Sequence, residues 1–186
     1  MKKIPSVFQR DGDRLVRDEV VPGCEWVLNG EGVATVKLDG TACMVRAGVL
    51  FRRMDRKHGK PAPEGWEPCE DAPNEKTGHW PGWVPVGDGP ADMWHREAWA
   101  IVETTGIADG TYELVGPRVQ CNPYGLAFHV LWSHSGWTID DSETPPRSFD
   151  GLRRWLEANH VEGIVWHHPD GRMAKIRRRD FGLVWP

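Results

Sequence analysis

The sequence predicts an α+β protein with antiparallel sheets. Short β-rich runs follow one another through tight turns, which is typical of antiparallel strands. Two segments with helical spacing of their apolar residues are inserted between such runs. The sequence has no strand–helix–strand repeat, no Gly-x-Gly-x-x-Gly motif and no P-loop. We therefore do not expect a dinucleotide-binding fold or a Walker-type ATPase.

The first three strands are predicted near the amino terminus. Residues 33–38 and 41–46 are rich in β-forming residues, and Asp39-Gly40 between them predicts a hairpin turn. Ala47-Gly48 predicts a second turn, which leads into a strand over residues 49–54. Residues 61–90 contain seven prolines and little periodicity, so they are predicted to be a long surface excursion.

The second half of the sequence alternates helices and strands. Asp92 is predicted to cap a helix that runs to about residue 104, with Trp94, Ala98 and Ile101 as its apolar stripe. Ser148 is predicted to cap a second helix over residues 149–159. The remaining predicted strands are residues 111–115, 127–132, 161–166 and 172–176.

Composition excludes several classes of protein. The chain has 186 residues, a formal net charge of −4 and 39% hydrophobic residues. It contains no apolar run long enough for a membrane span and no signal-peptide apolar region, so we expect a cytoplasmic protein with no membrane partner. The four cysteines are scattered, which predicts reduced thiols. A monomer is the default for a domain of this size.

The mild net charge hides two basic clusters. Residues 46–60 contain six lysines and arginines against one acid, and residues 172–180 contain five against one. Clusters of this kind are how a protein meets phosphate groups. Solvent-exposed charged faces are the simpler explanation for either cluster alone.

Candidate catalytic groups lie at three places. Lys37 ends a predicted strand before the Asp39-Gly40 turn, and a lysine there acts as a nucleophile only if its pKa falls. An ordinary turn lysine is the alternative. Glu113 and Glu162 stand in apolar strands, where a carboxylate needs a partner. Lys175 and Arg177 put two cations on one strand face, which suits phosphate binding.

This ordered set resembles the covalent nucleotidyltransferase superfamily of ATP-dependent ligases and capping enzymes. The matching pieces are the nucleotidyl lysine motif Lys37-Leu38-Asp39-Gly40, Arg53, Glu113, Glu162-Gly163-Ile164-Val165, and the final pair Lys175 and Arg177. Within the superfamily the chain looks most like the small 5′–3′ RNA ligases of the vertebrate type. The phrases behind this narrower resemblance are Pro22-Gly23-Cys24-Glu25-Trp26, Asp55-Arg56-Lys57, Gly116, Asn122-Pro123-Tyr124-Gly125-Leu126 and Phe181-Gly182-Leu183-Val184-Trp185-Pro186.

The resemblance implies a fold and a reaction. Residues 1–186 would form one ATP-grasp-like nucleotidyltransferase domain, with two antiparallel sheets and flanking helices around a nucleotide cleft. Lys37 would take AMP from ATP, pass it to a 5′-phosphate, and a 3′-hydroxyl would then displace it. Glu162 and Glu113 would hold Mg²⁺ or Mn²⁺, and Lys175 would favour the neutral form of Lys37. The ATP-binding set would be Lys37, Asp39, Gly40, Arg53, Glu113, Phe128, Trp132, Glu162, Lys175 and Arg177.

Two positions depart from the family pattern. An aromatic residue on the strand after Glu113 is expected to stack on adenine; Phe128 fits best by spacing and Trp132 is the second choice, but His129 stands where an aspartate usually follows. The last motif carries Arg177 where lysine is more frequent, and arginine is also a good phosphate ligand.

The expected partner is RNA with 5′-phosphate and 3′-hydroxyl ends. The sequence ends nine residues after Arg177, so we expect no appended oligonucleotide-binding domain. Contacts to RNA are then assigned to Arg52, Arg56, Lys57, Lys60, Arg178 and Arg179. A DNA nick ligase, a capping-type guanylyltransferase and a non-catalytic RNA-binding module remain as alternatives.

Overall fold

The computed structural model describes residues 2–12, 15–57, 59–75, 77–104 and 106–186. These residues form a mixed α+β structure whose strands pair antiparallel within three sheets. The strands are β1 (Phe8–Arg10), β2 (Val16–Val20), β3 (Val33–Lys37), β4 (Thr41–Arg46), β5 (Val49–Lys57), β6 (Glu67–Pro68), β7 (His79–Pro85), β8 (Gly110–Val115), β9 (Val130–Ser133), β10 (Gly163–His167) and β11 (Met173–Arg177). The α-helices are α1 (Glu25–Leu28), α2 (Met93–Val102) and α3 (Phe149–Ala158). The predicted α+β class is confirmed.

The chain divides into two compact units. One comprises residues 1–3 and 39–134, and the other comprises residues 4–38 and 135–186. We call the first the β6–β9 unit, after the two edge strands of its sheet, and the second the β3–β10 unit, after a strand pair of its sheet. The prediction of a single nucleotidyltransferase domain over residues 1–186 stays a prediction. None of the helices in the described ranges has both the length and the apolar character that a bilayer crossing needs.

The β3–β10 unit holds a three-stranded sheet in the order β11-β10-β3, with the β1-β2 pair beside it. One face of the sheet carries Ile164, Trp166 and Ile176, all fully buried in a core that also contains Leu152 and Leu156 of α3. Ser148 begins α3 as predicted, because its hydroxyl oxygen accepts a hydrogen bond from the Gly151 N–H.

The β6–β9 unit holds a six-stranded sheet in the order β6-β7-β5-β4-β8-β9. One face packs on α2 through a core that includes Cys43, Val45, Leu114 and Ala98. The α2 helix covers most of its predicted span. However, Ile101 of the predicted stripe is exposed, and the Asp92 carboxylate accepts a hydrogen bond from the Gly87 N–H rather than capping the helix.

The predicted hairpin through Asp39-Gly40 is wrong. Strands β3 and β4 both form, but β3 pairs with β10 and β4 pairs with β5 and β8, in different sheets. A long-range pairing has therefore overridden a local turn signal. The second predicted turn is confirmed, since Ala47-Gly48 joins the paired strands β4 and β5.

The 61–90 excursion is also more regular than predicted. It supplies β6 and β7, and β7 pairs with β5 over seven residue pairs. Trp83 and Val84 are buried in this pairing. Strand β7 was not predicted because it contains Pro81 and Pro85, and proline within a segment argues against a strand. Strands β1 and β2 were not predicted, and β9 begins at Val130 rather than at residue 127.

Gly163 lies at a close approach of β10 and β11. A Cβ atom at this position would collide with the carbonyl oxygen of Ile176 and lie 2.9 Å from the Cα of Arg177. No alanine fits there without separating the strands, so the register of the sheet depends on this glycine.

We expect Gly163→Ala to destabilise the protein by about 1–3 kcal/mol, the usual cost of overpacking. This corresponds to a fall in Tm of several degrees, read by thermal unfolding. The matched control is Gly89→Ala, because no atom lies within 4 Å of a Cβ built at Gly89. Equal Tm values for the two variants would contradict the close approach.

His95 on α2 makes stability depend on pH. Its side chain is buried, and neither ring nitrogen has a hydrogen-bond partner among the described residues. Burial lowers the pKa of His95; the charge of Asp92 opposes this, while Arg52 and His129 add to it. As pH falls through the ordinary histidine value, the unfolded chain takes up the proton first, so stability is lost.

The free energy of unfolding should fall less between about pH 7.5 and pH 5.5 in His95→Leu than in the wild type. The measurement is the free energy of urea unfolding against pH. His160→Leu serves as the control, since His160 is exposed. The same pH slope in wild type and His95→Leu would exclude the buried histidine as the cause.

Candidate functional site

Three of the predicted site residues share one face of the three-stranded sheet. Lys37 on β3 pairs across Gly163 with Arg177 on β11, and Thr35 pairs across Val165 with Lys175. Side chains in one row of an antiparallel sheet point to the same face, and so do residues two apart on a strand. Lys37, Lys175 and Arg177 therefore lie together, opposite the face that packs on the core.

Glu162 supplies the counter-charge for Lys37. The Lys37 Nζ lies 2.5 Å from Glu162 Oε2 and also donates to the Leu38 carbonyl oxygen at 3.1 Å. The Glu162 side chain is 3% exposed, whereas that of Lys37 is 21% exposed. Arg179 approaches the other carboxylate oxygen at 3.8 Å. The partner that a buried carboxylate requires is thus the predicted nucleophile itself.

Lys175 is the second cation of this face. Its pKa is lowered to about 8, mainly by burial and further by the charges of Lys37 and Arg177, while the charges of Glu162 and Asp180 oppose this shift. Its backbone is fixed on both sides, because the amino-terminal segment pairs with it: Lys175 N donates to Pro5 O and Val7 N donates to Lys175 O. Lys37 and Lys175 are therefore two cations of one sheet face whose charges repel each other.

Arg177 is held by Asp180, which the sequence analysis did not single out. The Asp180 carboxylate is 1% exposed and accepts from the Arg177 backbone N–H and from Nε and Nη2 of its guanidinium. Arg10 of β1 donates to the same carboxylate at 2.9 Å. An acid at the end of a run of three arginines was the available sequence signal. Such two-point binding fixes the plane of a guanidinium.

Glu113 belongs to the other unit, the β6–β9 unit, where it lies on β8. It pairs with Ala42 on β4 and with Trp132 on β9. Arg53 lies on β5 beside Ala42, on the face opposite the α2 core, as the β4–β5 register requires. Its guanidinium packs over Trp83 at 5.6 Å and lies 3.5 Å from Asp55. Arg53, Glu113 and Trp132 therefore share one sheet face.

His134 is the partner of Glu113. Its Nε2 lies 2.8 Å from Glu113 Oε2, and the Glu113 side chain is 10% exposed. The His134 Nδ1 is buried and has no hydrogen-bond partner within the described part of the chain. His134 lies two residues after Trp132. Strand alternation therefore places it on the same face as Trp132, and this pattern could have predicted it.

Asp39 and Gly40 lie against this same unit. A Cβ at Gly40 would collide with the carbonyl oxygen of Leu114 and lie 2.8 Å from the Glu113 Cγ, so only glycine fits. The Asp39 N–H donates to the Tyr124 hydroxyl at 2.7 Å, and the Gln120 side-chain amide lies 3.4 Å from the Gly40 carbonyl oxygen. Both partners belong to the 116–126 loop.

The 116–126 loop has a strained backbone. Gln120, Cys121 and Asn122 have φ of 46°, 60° and 55°, and each non-glycine residue in this left-handed region costs roughly 1–2 kcal/mol. The Asn122 side chain exchanges two hydrogen bonds with the Leu126 backbone, which closes the loop. Strain of this kind persists where the surrounding contacts fix the conformation.

The two adenine candidates differ in their positions. Phe128 lies before β9 and is 55% exposed, whereas Trp132 lies within β9 opposite Glu113. They are therefore not on one strand as predicted, because β9 starts later. His129 is a structural residue: its Nδ1 lies 2.9 Å from Glu97 Oε2, and its ring stacks on Trp94.

The residues predicted to contact RNA fall into two groups. Arg52 pairs with buried Asp92 on the α2 face at 2.6 Å, and Arg178 donates to the carbonyl oxygens of Leu156 and Asn159 at the end of α3. These two guanidinium groups are thus engaged by partners within the protein, and their assignment to RNA stays a prediction. Arg56 packs over Trp66 and Trp80 and donates to the Lys60 carbonyl oxygen. The exposed cations are Lys57, Lys60 and Arg179.

The described residues hold no cluster of three or more histidine, cysteine, aspartate or glutamate side chains that could bind a metal ion. Glu162 and Glu113 are single carboxylates, each occupied by a basic partner. A divalent cation at either residue would therefore take most of its ligands from a bound phosphate compound, as Mg²⁺ commonly does.

Comparison with known proteins gives one family. A family model described as RNA ligase 1 matches residues 96–186. RNA ligase 1 of Danio rerio is 30% identical over 223 residues, which cover 82% of this chain and 68% of that protein. RNA ligase 1 of Mus musculus is 28% identical over 224 residues, which cover 83% and 68%. Because the Danio rerio protein is 30% identical over more than two thirds of both chains, the chain belongs to the RNA ligase 1 family.

Proposed function

We propose that this chain is an ATP-dependent RNA ligase that joins 5′-phosphate and 3′-hydroxyl ends through a covalent Lys37–AMP intermediate. The observation that carries the proposal is the 2.5 Å contact between Lys37 and buried Glu162, with Lys175 and Arg177 on the same sheet face. A purely structural ion pair would not need two further cations beside it. Family membership supports the choice of RNA.

The first step forms a phosphoramide bond. Lys37 leaves Glu162 and gives its ammonium proton to solvent, and the Nζ lone pair attacks the α-phosphorus of ATP. A second Nζ proton passes to solvent as the phosphorus–nitrogen bond forms. The bond from that phosphorus to the bridging oxygen breaks, and pyrophosphate leaves. The step transfers AMP without a change in oxidation state. Positioning and charge neutralisation are its main requirements.

Two further transfers complete the reaction. A 5′-phosphate oxygen of RNA attacks the phosphorus of Lys37–AMP, which frees the lysine amine and gives an adenylylated 5′ end. A 3′-hydroxyl then attacks the phosphorus of the RNA 5′-phosphate, loses its proton and displaces AMP. Each step exchanges one bond at phosphorus for another, so one set of cations serves all three.

Lys175 and Arg177 are assigned to the α-phosphate. Arg177 is fixed by Asp180 and presents a rigid fork of donors, whereas Lys175 is a point charge. Glu113 is assigned to the ribose hydroxyls, Arg53 to the ribose or the terminal phosphate, and Trp132 rather than Phe128 to the adenine ring. Trp132 is preferred because it is the cross-strand neighbour of Glu113.

Mg²⁺ or Mn²⁺ would be held by Glu162 and Glu113 together with phosphate oxygens, and would neutralise charge on the phosphates. We also propose the ATP-grasp-like nucleotidyltransferase fold, a cytoplasmic location and a monomeric state. These three rest on the sequence resemblance and on the composition of the chain.

The test of the proposed function is the intact mass of the protein after incubation with ATP and Mg²⁺ or Mn²⁺. We expect one added AMP in the wild type and none in Lys37→Ala, because the nucleophile is absent. Lys2→Ala is the matched control, since it removes an exposed lysine with no assigned role and should keep the adduct.

The other outcomes separate the alternatives. Added GMP after incubation with GTP would favour a capping-type guanylyltransferase. An AMP adduct with sealing of DNA nicks in preference to RNA would favour a DNA ligase. If the folded, phosphate-free protein forms no adduct under any condition, a non-catalytic RNA-binding module becomes the leading alternative.

The pH dependence of the first step tests the role of Lys175. With ATP below saturation, we expect the adenylylation rate to fall as pH rises through about 8, since Lys175 then loses the charge that binds phosphate. Lys175→Arg keeps its charge at all working pH values and should lack this decline. An identical alkaline decline in the variant would assign it to another group.

A further inference from the structure

We propose that Tyr124 is a binding and positioning residue of the nucleotide site. Its ring would extend the aromatic surface of Trp132 against which the base of ATP lies, and its hydroxyl would fix the backbone that follows Lys37. This inference rests on the proposed function and adds a residue to it. The ligand of this site would be a nucleoside phosphate.

One side chain makes both contacts. The Tyr124 hydroxyl accepts a hydrogen bond from the Asp39 N–H at 2.7 Å, two residues after Lys37. The Tyr124 ring lies 4.9 Å from the Trp132 ring, with the planes tilted by 58°. Trp132 is in turn the cross-strand neighbour of Glu113. Tyr124 thus links the lysine motif to the residues assigned to base and ribose.

The 116–126 loop provides the second argument. Three consecutive non-glycine residues, Gln120, Cys121 and Asn122, adopt positive φ just before Tyr124. The same loop reaches the lysine motif a second time, through Gln120 and the Gly40 carbonyl oxygen. A loop that keeps an unfavourable backbone and contacts one short segment twice is suited to holding that segment in place.

The ring and the hydroxyl have separable effects. Aromatic stacking on a base depends little on which base is bound, so the ring contributes affinity for the nucleotide. The hydroxyl is bonded to the Asp39 backbone N–H, so it contributes to the position of the lysine motif and hence to the rate of attack. A residue with only a structural role would change neither quantity selectively.

The experiment measures Lys37 adenylylation at varied ATP concentration. We expect Tyr124→Leu to raise the KM for ATP roughly tenfold, since stacking area is lost. We expect Tyr124→Phe to lower the maximal rate roughly three- to tenfold, from the loss of one hydrogen bond, with KM almost unchanged. Tyr112→Phe is the matched control: its hydroxyl donates to Ala108 O, and its ring is buried in the α2 core.

Fluorine NMR gives a readout that does not depend on activity. The chain has two tyrosines, so 3-fluorotyrosine labelling gives two resonances, assigned with Tyr112→Phe. On addition of α,β-methylene-ATP with Mg²⁺, the Tyr124 resonance should shift and the Tyr112 resonance should not. This arm uses the wild-type chain, so it holds even if Tyr124→Leu does not fold.

The outcomes are distinguishable. This inference would be overturned if the Tyr124 resonance did not move and both Tyr124 variants had the KM and maximal rate of Tyr112→Phe. An AMP adduct on the wild-type protein would still support the proposed function in that case. No wild-type adduct with a shifted Tyr124 resonance would overturn the proposed lysyl-AMP chemistry and retain Tyr124 as a nucleotide-binding residue.

Discussion

The ion pair between Lys37 and Glu162 is the interaction around which the β3–β10 unit is organised. A carboxylate that is 3% exposed is unfavourable without a partner, and the ammonium group of Lys37 supplies one. To bring the two together, β3 must pair with β10 in a single register, Lys37 opposite Gly163. That register also places Lys175 and Arg177 on the same face, so charge pairing and strand pairing specify the same arrangement.

Local features of the sequence predicted much of this arrangement. Ser148 marks the start of α3 because capping depends on neighbouring residues alone. The predicted hairpin at Asp39-Gly40 failed because strand pairing depends on residues far along the chain, and β10 competes successfully for β3. Period-two alternation anticipated that Lys175 and Arg177 share a face. It could not reveal Asp180 or Tyr124, whose roles come from loops folded back on the site.

The two groups of predicted residues differ in how the protein supports them. Lys37, Lys175 and Arg177 stand on strands, where sheet hydrogen bonds fix their backbones. Asp39 and Gly40 lie outside any strand, and their backbone groups are held by Tyr124 and Gln120 of the strained 116–126 loop. Sheet hydrogen bonds thus support the basic side chains, and a loop with a strained backbone supports Asp39 and Gly40. At both Gly40 and Gly163, a Cβ atom would collide with a backbone carbonyl oxygen.

The pairing of β3 with β10 also has a consequence for synthesis of the chain. Lys37 and Glu162 are 125 positions apart, so the ribosome releases the lysine long before its partner. Until β10 and β11 emerge, β3 has an unpaired edge, and Lys37 lacks both its counter-charge Glu162 and its basic neighbours Lys175 and Arg177. A chain released before β10 is made would therefore contain Lys37 without its ionic partner. The pair of Lys37 and Glu162 can form only after β10 has left the ribosome.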